Sequence, residues 1–251
     1  MEREQYEIMR RAEDRHWWYR GMARVTDGLL RARVGESESR EVLDAGCGTG
    51  ANLELLAPYG RVTGLDFSED ALEHCRARGA ERLVRASVTE LPFESASFDL
   101  VLSCDVLSEV GAPDDVRGLA EFARVLRPGG KLLLRLPAYA WLGGGRHDRA
   151  VLTRHRYGKA ELRAKLGAAG FEVEVLSHVN ALLFPLAACV RGLERVLPDR
   201  EARAETSLPA GPVNALFSAL LGAEAPLVRG AGLPFGLTLI SLATKRGDAG
   251  S

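Results

Sequence analysis

The segment Val42-Leu43-Asp44-Ala45-Gly46-Cys47-Gly48-Thr49-Gly50 constrains the fold more than any other part of the chain. A short apolar run enters a turn with glycines at alternate positions and leaves into a segment of helical period. Glycines let such a turn bend sharply and let its backbone approach a ligand at the carboxyl end of a first strand, where open α/β sheets bind ligands. Sixteen residues past Gly50, Asp66 ends a second apolar run, placed so that its carboxylate can accept hydrogen bonds from both hydroxyls of a ribose.

The spacing narrows the ligand further. The dinucleotide fingerprint is G-x-G-x-x-G, whereas here the glycines run G-x-G-x-G and Ala51 stands where the third would fall. Asp44 enters the turn and would oppose a pyrophosphate while suiting a cationic amine or sulfonium. S-adenosylmethionine therefore fits better than NAD, with a glycine turn that holds no ligand as the plainer alternative.

Around this turn, short apolar runs alternate with amphipathic segments. Strands are expected at Glu41–Ala45, Arg61–Leu65, Arg82–Ser87, Phe98–Cys104 and Gly130–Leu136, and helices at Ala51–Ala57, Ser68–Arg78 and Asp114–Leu126, with Arg127-Pro128-Gly129-Gly130 as a sharp stop. Strand–helix–strand units of this length require right-handed crossovers and a parallel sheet covered on both faces, a doubly wound α/β domain. Beyond it a Gly-rich loop at Pro137–Gly145 leads to a helix at Lys159–Ala169 and a strand at Phe171–Leu176. Apolar-faced helices follow at Asn180–Leu197 and Val213–Leu221, then a last strand at Gly236–Thr244. Before the first strand, one or two helices must pack Trp17, Trp18 and Tyr19 onto the core. The expected organisation is a helical cap over 1–35, a core over 36–180, a helical insertion covering the acceptor site over 181–235, a last core strand over 236–246 and a tail over 247–251.

Composition removes other classes. With 33 Lys+Arg against 34 Asp+Glu, the net charge is −1, so no global basic field gathers nucleic acid or anionic lipid. Cys47, Cys75, Cys104 and Cys189 are scattered and no histidines cluster, so neither a disulfide framework nor a metal site is expected. A reduced, cytoplasmic compartment fits this. The charged N-terminus lacks the apolar stretch of a secretory signal. The apolar stretches Val175–Val190 and Gly230–Thr244 are interrupted by polar residues, Pro or Gly, so no spanning helix is expected.

These residues resemble the class I S-adenosylmethionine-dependent methyltransferases, specifically the small-molecule branch. Glu41–Gly50 resembles the family's first motif, Val62–Ser68 its ribose-binding motif, Glu90–Leu107 the stretch from the adenine loop into the fourth strand, and Leu126–Ala138 the fifth strand with its preceding turn. His16–Met22 and Trp141–Tyr157 are similar to the aromatic cap and the loop of a bacterial subgroup. The resemblance implies a Rossmann-like sheet of seven strands, mostly parallel with the last antiparallel. It also implies that the product is S-adenosylhomocysteine. It places Gly46, Cys47, Gly48 and Gly50 along the methionine and ribose, Asp44 near the amino acid end, and Asp66 on the ribose. Phe67, Ser87 and Val88 fall around the adenine, and Asp105 faces the methionine end. Trp18 and Tyr19 form either a lid over the cofactor or the packed side of a helix.

The sequence departs from the family at named positions. Relatives usually carry an acid at Ser87, a Glu-His pair where this chain has Ser108-Glu109, and Gly-His where it has Leu152-Thr153. Two histidines expected near the reaction centre are thus replaced. His147, followed by Asp148 in the loop over the mouth, is the candidate base, and His155, Arg156 and Tyr157 are candidates for an anionic substrate group, Tyr157 also for catalysis. The expected activity is methyl transfer to oxygen or nitrogen of a small molecule, with a specialised metabolite as one such substrate. Competing readings are a cyclisation or elimination on the same fold and a non-catalytic cofactor-binding partner. A homodimer is compatible with the apolar helices of the insertion.

Overall fold

A computed structural model of the 251-residue chain describes residues 3–143, 148, 152–185, 188–189 and 211–247. Seven strands form one sheet: β1 (Glu41–Ala45), β2 (Arg61–Asp66), β3 (Leu83–Arg85), β4 (Phe98–Cys104), β5 (Leu126–Pro137), β6 (Phe171–Val179) and β7 (Thr238–Lys245). Their order is β3-β2-β1-β4-β5-β7-β6. The first five pair in parallel, and β7 runs antiparallel to both β5 and β6. The expected sheet is therefore present.

Successive residues of a strand face opposite sides, so each strand feeds two cores. Leu43, Val101, Leu132 and Leu134 join one cluster with Phe122 and Tyr157. Val42, Leu100, Leu102 and Leu133 join the other with Met22, Leu29 and Leu30. The first face is covered by α6 (Asp114–Val125) and α7 (Lys159–Ala168), and the second by α2 (Trp17–Arg33). In α2 the buried residues Gly21, Met22, Val25, Leu29 and Leu30 lie on one stripe, and each large apolar side chain there contributes roughly 1.5–3 kcal/mol.

Two further helices, α8 (Gly211–Ala223) and α9 (Ala225–Arg229), pack on α2. Asn214 clasps the N-terminal turn of α2, accepting the Trp17 amide through Oδ1 at 2.8 Å and donating through Nδ2 to the Arg15 carbonyl at 2.8 Å. Trp17 meets Phe217 edge-on, with centroids 5.5 Å apart. By length and composition Gly211–Arg229 passes the test for a membrane span, which the sequence reading did not single out. In this fold Ser218, Leu221, Ala225 and Val228 are buried, the last three against α2 and the sheet.

Several boundaries differ from expectation for local reasons. Strand β5 begins at Leu126, paired with Phe98, because a register shift between Phe98 and Leu100 absorbs the Pro128-Gly129-Gly130 turn. Strand β3 is only three residues long, since Ser87 turns back in an isolated bridge to Glu90. No helix starts at Asn180. That residue has φ +62°, and the Glu224 carboxylate accepts the amides of Asn180, Ala181 and Leu182 at 2.6, 2.8 and 3.0 Å. The rest of the helix expected to run to Leu197 lies largely outside the described residues.

Candidate cofactor and acceptor cleft

The glycine turn follows β1 and precedes α3 (Ala51–Leu56). Gly46 has φ +89°, and a Cβ there would stand 2.0 Å from Val106 Cγ2, at the start of α5 (Val106–Val110). Any side chain would push the turn off the helix after β4. Gly50, also at φ +89°, caps α3 in the left-handed conformation.

Beside this turn, at the carboxyl ends of the parallel strands, lies a cleft of about 1360 Å³. Asp66 is held rigidly at its edge, with Oδ2 accepting the Gly48 amide and Oδ1 the Ser68 amide, each at 2.9 Å. Burial raises its carboxyl pKa, opposed by these backbone donors. Ser68 sits at the N-cap position of α4 (Glu69–Ala77) without a side-chain cap bond, its amide being given to Asp66. Phe67 lies on the rim, 73% exposed. Ser87 and Val88 also line the cleft, but the Ser87 hydroxyl pairs with Thr89 Oγ1 at 2.8 Å, an engagement within its own turn.

Asp44 lies fully buried, outside the lining, and neither carboxylate oxygen has a hydrogen-bond partner among the described residues. Burial, then the charge of Asp66, push its pKa up to about 8. Asp105, left-handed at φ +66°, accepts Nε and an Nη of the buried Arg135 at 3.1 Å. The Arg135 guanidinium lies 4.9 Å from the centroid of the Trp18 ring, which meets Tyr19 edge-on. Trp18 and Tyr19 both line the cleft, and Trp18 also packs against the core. The Cys47 thiol is buried 3.7 Å from that of Cys75, which donates to the Gly48 carbonyl at 3.2 Å, so Cys47 packs the turn onto α4.

Helix α1 (Arg3–Glu13), whose part in the site the sequence reading missed, supplies Tyr6, Met9 and Glu13 to the cleft. Glu13 pairs with Arg78 at 2.7 Å, and Arg78 Nε donates to the Thr49 carbonyl at 2.8 Å, tying the helix to the glycine turn. His16 caps α2, its Nδ1 accepting the Trp18 amide at 3.3 Å, and burial lowers its pKa.

The residues expected beyond β5 separate. His147 lies outside the described residues. Asp148 pairs with both arms of Arg156, a cleft residue. His155 Nε2 is 2.7 Å from Glu161 Oε1. Tyr157 is not brought to the cleft. It is 1% exposed in the core, and its hydroxyl donates to Asp115 Oδ2 at 2.8 Å. Burial, then the Asp115 bond, raise its pKa, so the structure gives this hydroxyl a packing task.

An adenosine sulfonium suits this site on its own chemistry. A rigid carboxylate, Asp66, stands at the end of β2 beside the glycine turn, and Asp105, Glu109 and the rings of Trp18 and Tyr19 line the same cleft as Arg78, Arg135 and Arg154, so a cation meets carboxylates and aromatic faces there.

Comparison with known proteins agrees. Residues 43–134 match the model of a family described as "Methyltransferase domain". A protein of Mycolicibacterium smegmatis named "Probable S-adenosylmethionine-dependent methyltransferase" is 36% identical over 165 residues, covering 64% of this chain and 62% of its own. Demethylmenaquinone methyltransferase of Staphylococcus aureus is 40% identical over 108 residues, 40% of this chain and 44% of that protein. The chain thus spans less than two thirds of the length of these curated relatives. Among solved structures, a chain from the complex of the Haloferax volcanii Trm112 methyltransferase activator with a methyltransferase superposes with TM-score 0.60 at 23% identity, covering 94% of this chain and 92% of that one. The (4+2) cyclase SpnF shares the fold at TM-score 0.56 and 23% identity, over 88% and 80%. Residues 43–134 thus form a methyltransferase domain built on the first five strands, and the chain is similar to S-adenosylmethionine-dependent methyltransferases in sequence and shares their fold.

Proposed function

We propose that the protein transfers a methyl group from S-adenosylmethionine to oxygen or nitrogen of a small molecule. The observation that carries this is the cleft: ligand pockets commonly run to about 300–1,000 Å³, and this one, at about 1360 Å³, has room for a second reactant beside a cofactor. When bound, the cofactor supplies a methyl carbon made electrophilic by positively charged sulfur. Asp66 accepts the ribose hydroxyls, Phe67, Ser87 and Val88 flank the adenine, and Gly46 and Gly48 admit the remainder, while Gly50, outside the lining, shapes the turn. Trp18 and Tyr19 roof the cleft and exclude water, while Arg135 holds Asp105 in place. Alignment of two bound reactants can supply much of the rate of an in-line displacement.

The acceptor side is read as the insertion of residues 181–235, from which Leu183 and Phe217 reach the cleft. A reduced cytoplasmic setting and a homodimer complete the proposal. The replaced Glu-His and Gly-His pairs favour a second reading, a sulfonium-assisted cyclisation, and SpnF is named as a cyclase on this fold. Calorimetric titration with S-adenosylmethionine, S-adenosylhomocysteine and NADH tests the cofactor. Binding of the first two, with methyl incorporation into an acceptor, supports methyl transfer. NADH binding alone overturns it, and product formed without added methyl mass selects the cyclisation.

A further inference from the structure

Methylation of an O–H or N–H acceptor removes one positive charge from the cleft and sets one proton free. A group in the cleft that is ionised beside the cation and takes the proton afterwards keeps the local charge constant throughout. In a partly dry site that matters, because an uncompensated charge there is costly.

The titratable lining divides sharply when each group is asked whether it is able to do this. Asp66 is committed to two amides, Asp105 to Arg135, Glu13 to Arg78 and Asp14 to Arg10. The His16 ring accepts at Nδ1 from the Trp18 amide, so its other nitrogen carries the proton and has no lone pair to offer. The Cys104 thiol is pushed up to about 12 by burial, and the Tyr6 phenol likewise, so both hold their protons near neutrality. Glu54 is exposed on α3. Glu109, on α5 directly after β4, lines the cleft half-buried, and its carboxylate has no hydrogen-bond or ion-pair partner among the described residues.

We propose that Glu109 is the proton acceptor of the transfer site and that the acceptor molecules are therefore protonated nucleophiles, hydroxyls or amines, rather than carboxylates. Glu109 takes the proton from the acceptor as the acceptor heteroatom bonds to the methyl carbon and the carbon–sulfur pair stays on sulfur. The protonated Glu109 then returns the proton to solvent. The inference rests on the methyl-transfer reading given above.

The surroundings of Glu109 are consistent with such a poise. Burial, then the charges of Asp105 and Asp66, raise its pKa to about 7, opposed by Arg154 from the connection between β5 and α7. Tyr6 of α1 also faces it electrostatically. A cation arriving in the cleft should ionise the carboxyl, and a neutral thioether should leave it partly protonated.

The test needs no acceptor. Binding of S-adenosylmethionine and of S-adenosylhomocysteine to the full chain is measured by calorimetry at pH 7 in two buffers of different ionisation enthalpy, which reports protons released. The wild type is expected to release roughly half a proton more with the sulfonium than with the thioether. Glu109→Gln should abolish that difference while still binding S-adenosylhomocysteine, which also reports that the variant is folded, and Glu109→Asp should retain part of it. Both ligands binding with no difference in proton release, or the same difference persisting in Glu109→Gln, overturns the role of Glu109. Failure of both ligands to bind overturns the cofactor reading itself, and the Glu109 inference with it.

Discussion

Replacing Asp44 with asparagine should stabilise the ligand-free protein at neutral pH, although it changes a residue inside the glycine motif. Asp44 is fully buried, and both its oxygens lack partners among the described residues. Its carboxyl is raised from 3.8 to about 8, by burial first and by Asp66 second. For an acid raised on folding, stability is complete below the unfolded pKa and is lost as pH climbs toward the folded value. At ~1.4 kcal/mol per unit, the loss is about 4 kcal/mol at pH 7 and about 1.5 kcal/mol at pH 5. The asparagine amide brings its own unpaired donors, at a cost of ~1–2 kcal/mol. The net gain is therefore about 2 kcal/mol at pH 7 and near zero at pH 5. In a domain of this size the former corresponds to a rise in Tm of about 4–8 °C. Urea denaturation at the two pH values, with calorimetry alongside, measures it. A variant less stable at pH 7 than the wild type, or a change that does not grow between pH 5 and 7, would refute the account of Asp44 as an unpaired acid.

Three further outcomes are expected. Tyr157→Phe should cost about 1–2 kcal/mol of stability, through the lost bond to buried Asp115, and leave S-adenosylmethionine affinity unchanged by titration; a large loss of affinity would return Tyr157 to the site. Arg78→Ala breaks a pair whose side chains are 10% and 6% exposed, so α1 should loosen and its amides exchange hydrogen at least tenfold faster, read by mass spectrometry over residues 3–13; unchanged protection would mean that the helix is held by Tyr6 and Met9 alone. Glu224→Gln offers one acceptor oxygen and two donors to three amides and should destabilise by about 1–3 kcal/mol in denaturant titration, more than Glu→Gln at the exposed Glu54.

What could be read from sequence was what local chemistry dictates. Strands Glu41–Ala45 and Phe98–Cys104 are short apolar runs closed by turn residues, and both appear at those bounds. Asp66 stands at the end of β2, beside the turn whose glycines marked it. What could not be read depends on partners distant in the chain. The run His155-Arg156-Tyr157 looks like a polar patch, yet Asp115, forty-two residues away, draws Tyr157 inward, while Arg156 turns to Asp148. Helices α5 and α9, five residues each, are too short to show a period. Glu109 shows in the sequence only as the second residue of the Ser108-Glu109 pair, and its place in the cleft without a partner among the described residues shows only in the fold.

The position of β7 has a consequence for how the molecule is made. Among the described strands the last in chain order lies between β5 and β6, so β6, complete by Val179, lacks its sheet neighbour until Thr238–Lys245 exists. Ribosomes add roughly 5–20 residues per second, so the β5 edge and the β6 backbone stand open for several seconds on the nascent chain, with Asn214 and Leu221 of α8 reaching α2 in the same interval. A chain stopped before Thr238 would lose two strands from the sheet while lacking the sequence of one. The sheet from β3 to β5, which carries the glycine turn and Asp66, can close before then, so a ligand arriving during synthesis would meet the glycine turn and Asp66 before the cleft walls that Leu237 and Thr238 complete.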